Sequence, residues 1–169
     1  MEEIENKVAQ SGLITINPEE FYPKGERALF DISDYLFEGL LLKEKDFRAR
    51  VAEIDWSQYK DNYVALHCST DAIVPTWAYM LLTVNLEQYA KKIVMGNLDV
   101  LETVLFNEAL SEINIEQYRD ERIVIKGCSA VPVPESAYVE LTRLLRPVAK
   151  SIMYGEACSA VPLYKKKKA

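Results

Sequence analysis

The chain has 169 residues, 49% of them hydrophobic and 27% charged, with only 6 Gly and 7 Pro. That composition is globular and excludes collagen-like, low-complexity and disordered classes. The 20 basic and 26 acidic residues leave a net charge of -6, the wrong sign for a protein that grips nucleic acid by its phosphates.

The length favours a single domain with room for a core. Residues 1–60 read as an α/β lead-in. Ile4, Val8 and Ala9 predict a short helix that ends near Gly12, and Leu13 to Ile16 a short strand. Asn17 is placed to cap a helix start with Pro18 at its first position. Ala28 to Ile32 is the next strand. Phe47, Val51 and Ile54 recur at spacings of four and three, which predicts an amphipathic helix over Glu44 to Glu53. The connection Asp55-Trp56-Ser57-Gln58-Tyr59 carries two aromatics suited to packing.

The rest of the chain repeats itself. Tyr-Val-Ala-Leu-His-Cys-Ser at 63–69 resembles Ile-Val-Ile-Lys-Gly-Cys-Ser at 123–129. Residues 75–83 match 134–142 at Pro, Ala, Tyr, Leu and Thr, and 90–96 match 149–155, with one residue of slippage between Cys and Pro. A repeat of this kind takes precedence over other signals. Each copy, 62–96 and 122–155, reads strand, loop, helix, strand. The helices start at Pro75 and Pro134, where a missing N–H costs nothing. Trp77, Met80, Leu81 and Val84 give an apolar stripe in the first; Ala137, Tyr138, Leu141, Leu144 and Leu145 give one in the second. Lys92 to Met95 and Ser151 to Tyr154 are the closing strands, each ended by Gly. Leu98, Leu101, Val104 and Leu105 mark a helix between the copies. The order βαβ-α-βαβ predicts an α/β fold: a parallel or mostly parallel sheet of duplicated βαβ units, helices on both faces. A truncated third copy and a Lys-rich tail occupy 158–169. There Cys158-Ser-Ala-Val-Pro162 repeats Cys128-Ser-Ala-Val-Pro132 letter for letter, and Lys165 to Lys168 read as a solvated tail.

The chemistry-bearing residues follow from the repeat. All 3 cysteines precede a serine: Cys68-Ser69, Cys128-Ser129 and Cys158-Ser159. Ligands bind at the carboxyl edge of open parallel sheets, and Cys68 and Cys128 end repeated strands. Three thiolates suit a soft metal, an iron–sulfur cluster or zinc. Nearby helix N-termini would favour the thiolate form. Ser69, Ser129 and Ser159 would then hydrogen-bond the sulfurs or cap the helices. Zinc needs a fourth ligand. His67, the single His, and Asp71 are the candidates, and an open position is the alternative. Adjacent strand residues face opposite sides, so His67 and Cys68 share one metal only if the strand breaks between them.

Two other readings compete. One is a metal-free thiol enzyme using Cys68 or Cys128. The other is an interaction module whose cysteines are buried small hydrophobes. Tyr79 and Tyr138 occupy equivalent positions, where either could bring a hydroxyl to the site. No GxGxxG, P-loop, GxSxG or HExxH motif is present.

Gly25-Glu-Arg27, Phe30-Asp-Ile32, Glu44-Lys-Asp-Phe47, Asp55-Trp-Ser-Gln-Tyr59, Asp71-Ala-Ile-Val-Pro-Thr-Trp-Ala78, Lys126-Gly-Cys-Ser129 and Ala149-Lys-Ser-Ile-Met153 together resemble an uncharacterised bacterial family, a domain of unknown function. The resemblance spans nearly the whole chain. It implies genes that can lie near SUF-type iron–sulfur assembly genes, and hence iron–sulfur assembly proteins as partners. An odd number of widely spaced cysteines speaks against a disulfide framework. The absence of an apolar signal core or a bilayer-length stretch adds the expectation of a cytoplasmic protein with no membrane span.

Overall fold

The computed structural model of the chain describes residues 12–127, 129–156 and 159–167. The expected helix over Ile4 to Gly12 falls almost wholly outside them. The backbone divides into two compact units. One, Lys24–Val104, is nested in sequence between the two segments of the other, Met1–Pro23 and Leu105–Ala169; we call the second the split unit.

In the nested unit, β2 (Arg27–Asp31) leads into a 3-10 turn (Ile32–Tyr35), α1 (Glu44–Ala52), a 3-10 turn (Trp56–Tyr59), β3 (Tyr63–His67), α2 (Thr76–Leu86) and β4 (Lys92–Met95). The split unit opens with β1 (Leu13–Ile16) and a 3-10 turn (Pro18–Phe21). It resumes after the nested unit with α3 (Leu98–Ser111), whose first turns are shared with that unit, and a 3-10 turn (Ile115–Tyr118). There follow β5 (Arg122–Ile125), α4 (Glu135–Leu145), β6 (Ser151–Tyr154) and β7 (Val161–Lys165). Both units therefore run strand, 3-10 turn, helix, 3-10 turn, strand, helix, strand. The duplication is larger than the sequence match showed, and one copy is inserted into the sequence of the other.

The strands are mostly parallel, as the βαβ order requires. The nested sheet is β2-β3-β4, all parallel, and the split sheet is β1-β5-β6-β7, with β7 alone antiparallel. The two sequence repeats occupy separate sheets. The third, truncated repeat supplies β7, which pairs with β6 around a register shift and carries Pro162 on the sheet edge, where a missing N–H is tolerated.

Each sheet buries one face under two helices. In the nested unit Phe47 and Val51 of α1 and Ala78, Leu82 and Leu86 of α2 pack on Phe30, Val64 and Leu66. The split unit answers with Phe106 and Leu110 of α3 and Ala137, Leu141 and Leu145 of α4 on Ile16, Ile123, Ile125 and Ile152. These lists correspond position by position, Phe47 to Phe106 and Leu82 to Leu141. On the opposite face of the nested sheet the start of α3 places Glu102 against Arg27, at 2.6 and 3.0 Å.

Three local expectations change. The buried face of α2 is Ala78, Leu82 and Leu86, whereas Met80 is 63% and Val84 66% exposed. The helix is apolar nearly all round, so the stripe of Trp77, Met80, Leu81 and Val84 splits: Trp77 and Leu81 are half-buried against the core, and Met80 and Val84 face outward. Pro75 and Pro134 are not the first helical residues. Each has an extended backbone and caps its helix, its carbonyl accepting the N–H of Ala78 or Ala137 at 2.9 Å. Finally, the slip between the copies disappears. Leu66 O accepts the Gly96 N–H as Ile125 O accepts that of Gly155, and Tyr89 O accepts the Asp61 N–H as Val148 O accepts that of Asp120. With the same register on both sides of the loop, Cys68 corresponds to Gly127 and not to Cys128.

Candidate functional site

β2 and β3 end side by side, with Asp31 and His67 as register partners, so their following loops share the carboxyl edge of the nested sheet. Asp31 organises that edge. Its Oδ1 accepts the N–H of Ser33 at 2.9 Å, capping the 3-10 turn, and the N–H of Ser69 at 3.1 Å. The Ser33 and Ser69 hydroxyls lie 3.0 Å apart. Burial pushes the Asp31 carboxyl up, but the hydrogen bonds from Ser69 and Ser33 outweigh it and hold the pKa at about 2. A fixed anion thus pins the first residue after Cys68.

Cys68 is half-buried, with its side chain against the nested core. Its Sγ lies 3.4 Å from Thr70 Oγ1 and 3.5 Å from Thr70 O. The sulfur thus sits at the margin of the core, neither fully enclosed nor fully exposed. The Tyr79 hydroxyl belongs to the same group: burial first, then the nearness of Cys68 and Asp31, push its pKa up. Tyr79 itself packs half-buried against the nested core. Downstream, Asp71 is exposed and lines an open cleft of about 560 Å³ with Thr70, Ile73, Leu40 and Leu41.

Cys128 and Cys158 lie outside the described residues, so of the expected sulfur ligands the structure describes Cys68 alone. His67 is half-buried at the end of β3. Among the described residues no three His, Cys, Asp or Glu side chains are grouped to hold a metal ion. Of the three serines, Ser69 has a sulfur neighbour among the described residues, and its hydroxyl lies on Ser33 instead. Ser69 bonds Ser33 and Asp31, Ser129 Oγ donates to Val131 O at 2.8 Å, and the Ser159 N–H donates to Glu156 O at 2.9 Å. The hydroxyl beside the described sulfur is that of Thr70, and neither α2 nor α4 has a side-chain cap.

The split unit repeats the tether with other groups. Asn17 corresponds to Asp31 and caps its 3-10 turn through the Glu19 N–H at 3.4 Å. Glu19, the counterpart of Ser33, accepts the Ala130 N–H at 2.7 Å. That bond, with a second from Asn17, lowers the Glu19 pKa. In both units a carboxylate therefore joins the turn after the first strand to the loop after the central one. The thiol position differs. A Cβ on Gly127 would lie 2.7 Å from the Tyr154 hydroxyl, and the Tyr154 ring meets Tyr138, the counterpart of Tyr79, edge-on at 5.8 Å. The place of the Cys68 side chain is filled by a tyrosine.

Sequence reasoning missed Asp31, Ser33, Thr70 and Glu19 as parts of these edges. The spacings Asp31-x-Ser33 and Asn17-x-Glu19 are Asx-turn signals that mark the caps. Nothing local marks the bonds to Ser69 and Ala130, which cross long stretches of chain.

Fold and edge define a duplicated α/β protein with a thiol at the carboxyl end of one parallel sheet. Residues 2–166 match the family model described as protein of unknown function (DUF2480), and the chain belongs to that family. No curated protein and no solved structure matches the chain. Among the described residues no helix is long and apolar enough to cross a membrane.

Proposed function

We propose that the protein works through its thiolates as a soft-metal protein, binding an iron–sulfur cluster or zinc through Cys68, Cys128 and Cys158 and serving iron–sulfur cluster assembly. The observation that carries the reading is the setting of Cys68. A half-buried thiol stands at the ligand-binding edge of a parallel sheet, in a loop pinned by Asp31. The recurrence of Cys-Ser three times, with no cysteine elsewhere, extends the reading to Cys128 and Cys158, and thiolates select soft metals. His67 and Asp71 are the candidates for a fourth ligand. A reducing cytoplasm would keep the thiols free, and a SUF-type gene neighbourhood would supply the partners.

The test is metal, sulfide and visible absorption on the full chain purified without air, with Cys68→Ala, Cys128→Ala and Cys158→Ala alongside. Stoichiometric iron with sulfide, or zinc, lost alike in all three variants is the expected result. A chain free of metal overturns the reading.

A second reading has its own observation. Cys68 alone stands where the duplicate has Gly127 under Tyr154, half-buried with its Sγ 3.4 Å from the Thr70 hydroxyl. That asymmetry favours metal-free thiol chemistry at Cys68. It predicts that Cys68→Ala abolishes fast alkylation by iodoacetamide while Cys128→Ala and Cys158→Ala leave its rate unchanged.

A further inference from the structure

The duplication supplies an internal control for the sheet edges. At their first strands the two units agree: β1 and β2 are both outermost in their sheets. At their last strands they differ. β6 is covered by β7, running antiparallel, with Tyr154 opposite Val161 and Ile152 opposite Tyr164. Among the described residues its counterpart β4 is the outermost strand of the nested sheet. The Gly96 N–H bonds Leu66 O inside the sheet. Alternation along the strand then turns the backbone groups of Ile93 and Met95 to the outer edge, as those of Ile152 and Tyr154 turn to β7. The Met95 side chain is 66% exposed. An open strand edge with an apolar flank is a template for pairing with another chain.

We propose that this edge is the homodimer interface: β4 pairs antiparallel with β4 of a second copy across a two-fold axis, joining two three-stranded sheets into one of six. A two-fold axis makes strand pairing antiparallel, the direction this fold already accepts at β6. The outward groups of Ile93 and Met95 fix the register. Ile93 stands opposite the second copy's Met95, Val94 opposite its own counterpart, and Lys92 opposite Gly96, so every central pair is apolar and no like charges meet. The next apolar groups along the chain, Leu98 and Val100, are also exposed, at 40% and 43%, and would flank the paired strands.

The test is the solution mass of the full chain by sedimentation, with two variants. The wild type should run at twice the 19.3 kDa chain mass. Met95→Lys should run as a monomer with an unchanged circular-dichroism spectrum, because it places two charges at the edge without touching the core. Val94→Cys, in a chain whose three native cysteines are replaced by Ser, should oxidise to a covalent dimer, because unbonded antiparallel partners bring their Cα atoms within disulfide range. A wild type that stays monomeric at all concentrations overturns the proposal and leaves the edge to a strand of another protein. A dimer that survives Met95→Lys also overturns it and places the contact elsewhere. A dimer sensitive to Met95→Lys but not cross-linked by Val94→Cys overturns the two-fold β4 pairing in favour of β4 taking up β7 of a second copy.

Discussion

Asp31 carries its charge where burial alone would weaken it. Its hydrogen bonds with Ser33 and Ser69 prevail, so the folded pKa of about 2 lies below the ordinary 3.8. A carboxylate depressed on folding stabilises the native state above its unfolded pKa, and that contribution is lost as pH falls through the folded value. The window is therefore between about pH 4 and pH 2. Asp31→Ala removes a cap and the tether to Ser69 and should cost about 1–2 kcal/mol at pH 7, read from urea midpoints. The gap between variant and wild type should narrow as pH drops from 4 to 2; a gap that stays constant there would show that the charge is not what matters. The identity of Cys68 as a candidate was legible from its place after a strand. Its partner was not. Cys-Ser pointed to Ser69, yet the hydroxyl at the sulfur is that of Thr70, because Asp31 holds Ser69 from a strand that the sequence around Cys68 does not mention.

At the level of elements, the two copies explain each other. The strands β4 and β6 fall where the sequence puts them because apolar runs ended by glycine leave little choice. The face of α2 was read only in part, Trp77 and Leu81 but not Met80 and Val84 lying on the core, because an all-round apolar helix has no readable stripe. α4, with Glu140 and Arg143 on its open side, shows which face is which. Leu82→Ala empties a fully buried site and should cost about 2–5 kcal/mol, whereas Met80→Ala at an exposed site should stay within about 0.5 kcal/mol. Equal losses in urea midpoint would mean that both faces of α2 are covered in solution. The glycines that end the closing strands should also part company. A Cβ on Gly96, at φ +142, would meet the Val100 Cβ at 2.7 Å, while one on Gly155, at φ +114, has nothing nearer than 3.5 Å. Both alanine variants strain the backbone, but only Gly96→Ala also overpacks, adding about 1–3 kcal/mol. A Gly155→Ala variant less stable than Gly96→Ala would contradict this.

Across the whole molecule, the nesting of one unit in the other was hidden from the sequence for a physical reason. The counterpart strands β1 and β2 share a register with β5 and β3 rather than a pattern of residues. β1 is also separated from the rest of its unit by the entire nested one. The one-residue slip had a related cause. Matching Cys-Ser to Cys-Ser outweighed a register that the backbone keeps constant, and the corrected register makes Cys68 the exception rather than one of a pair. If the nested unit arose as a complete copy, it should still hold what it needs to fold. It has its own three parallel strands, a core of Phe47, Val64, Leu82 and their neighbours, and the partly buried Arg27–Glu102 pair within its bounds. A fragment of residues 24–104 should therefore unfold cooperatively in urea, with low stability because small domains bury a smaller share of their surface. Leu82→Ala should abolish that transition, since a loss of about 2–5 kcal/mol exceeds what so small a core can spare. A fragment with no cooperative transition even in the wild-type sequence would mean that the nested unit depends on the chain around it, and the duplication would then describe a shared pattern of strands rather than two folding units.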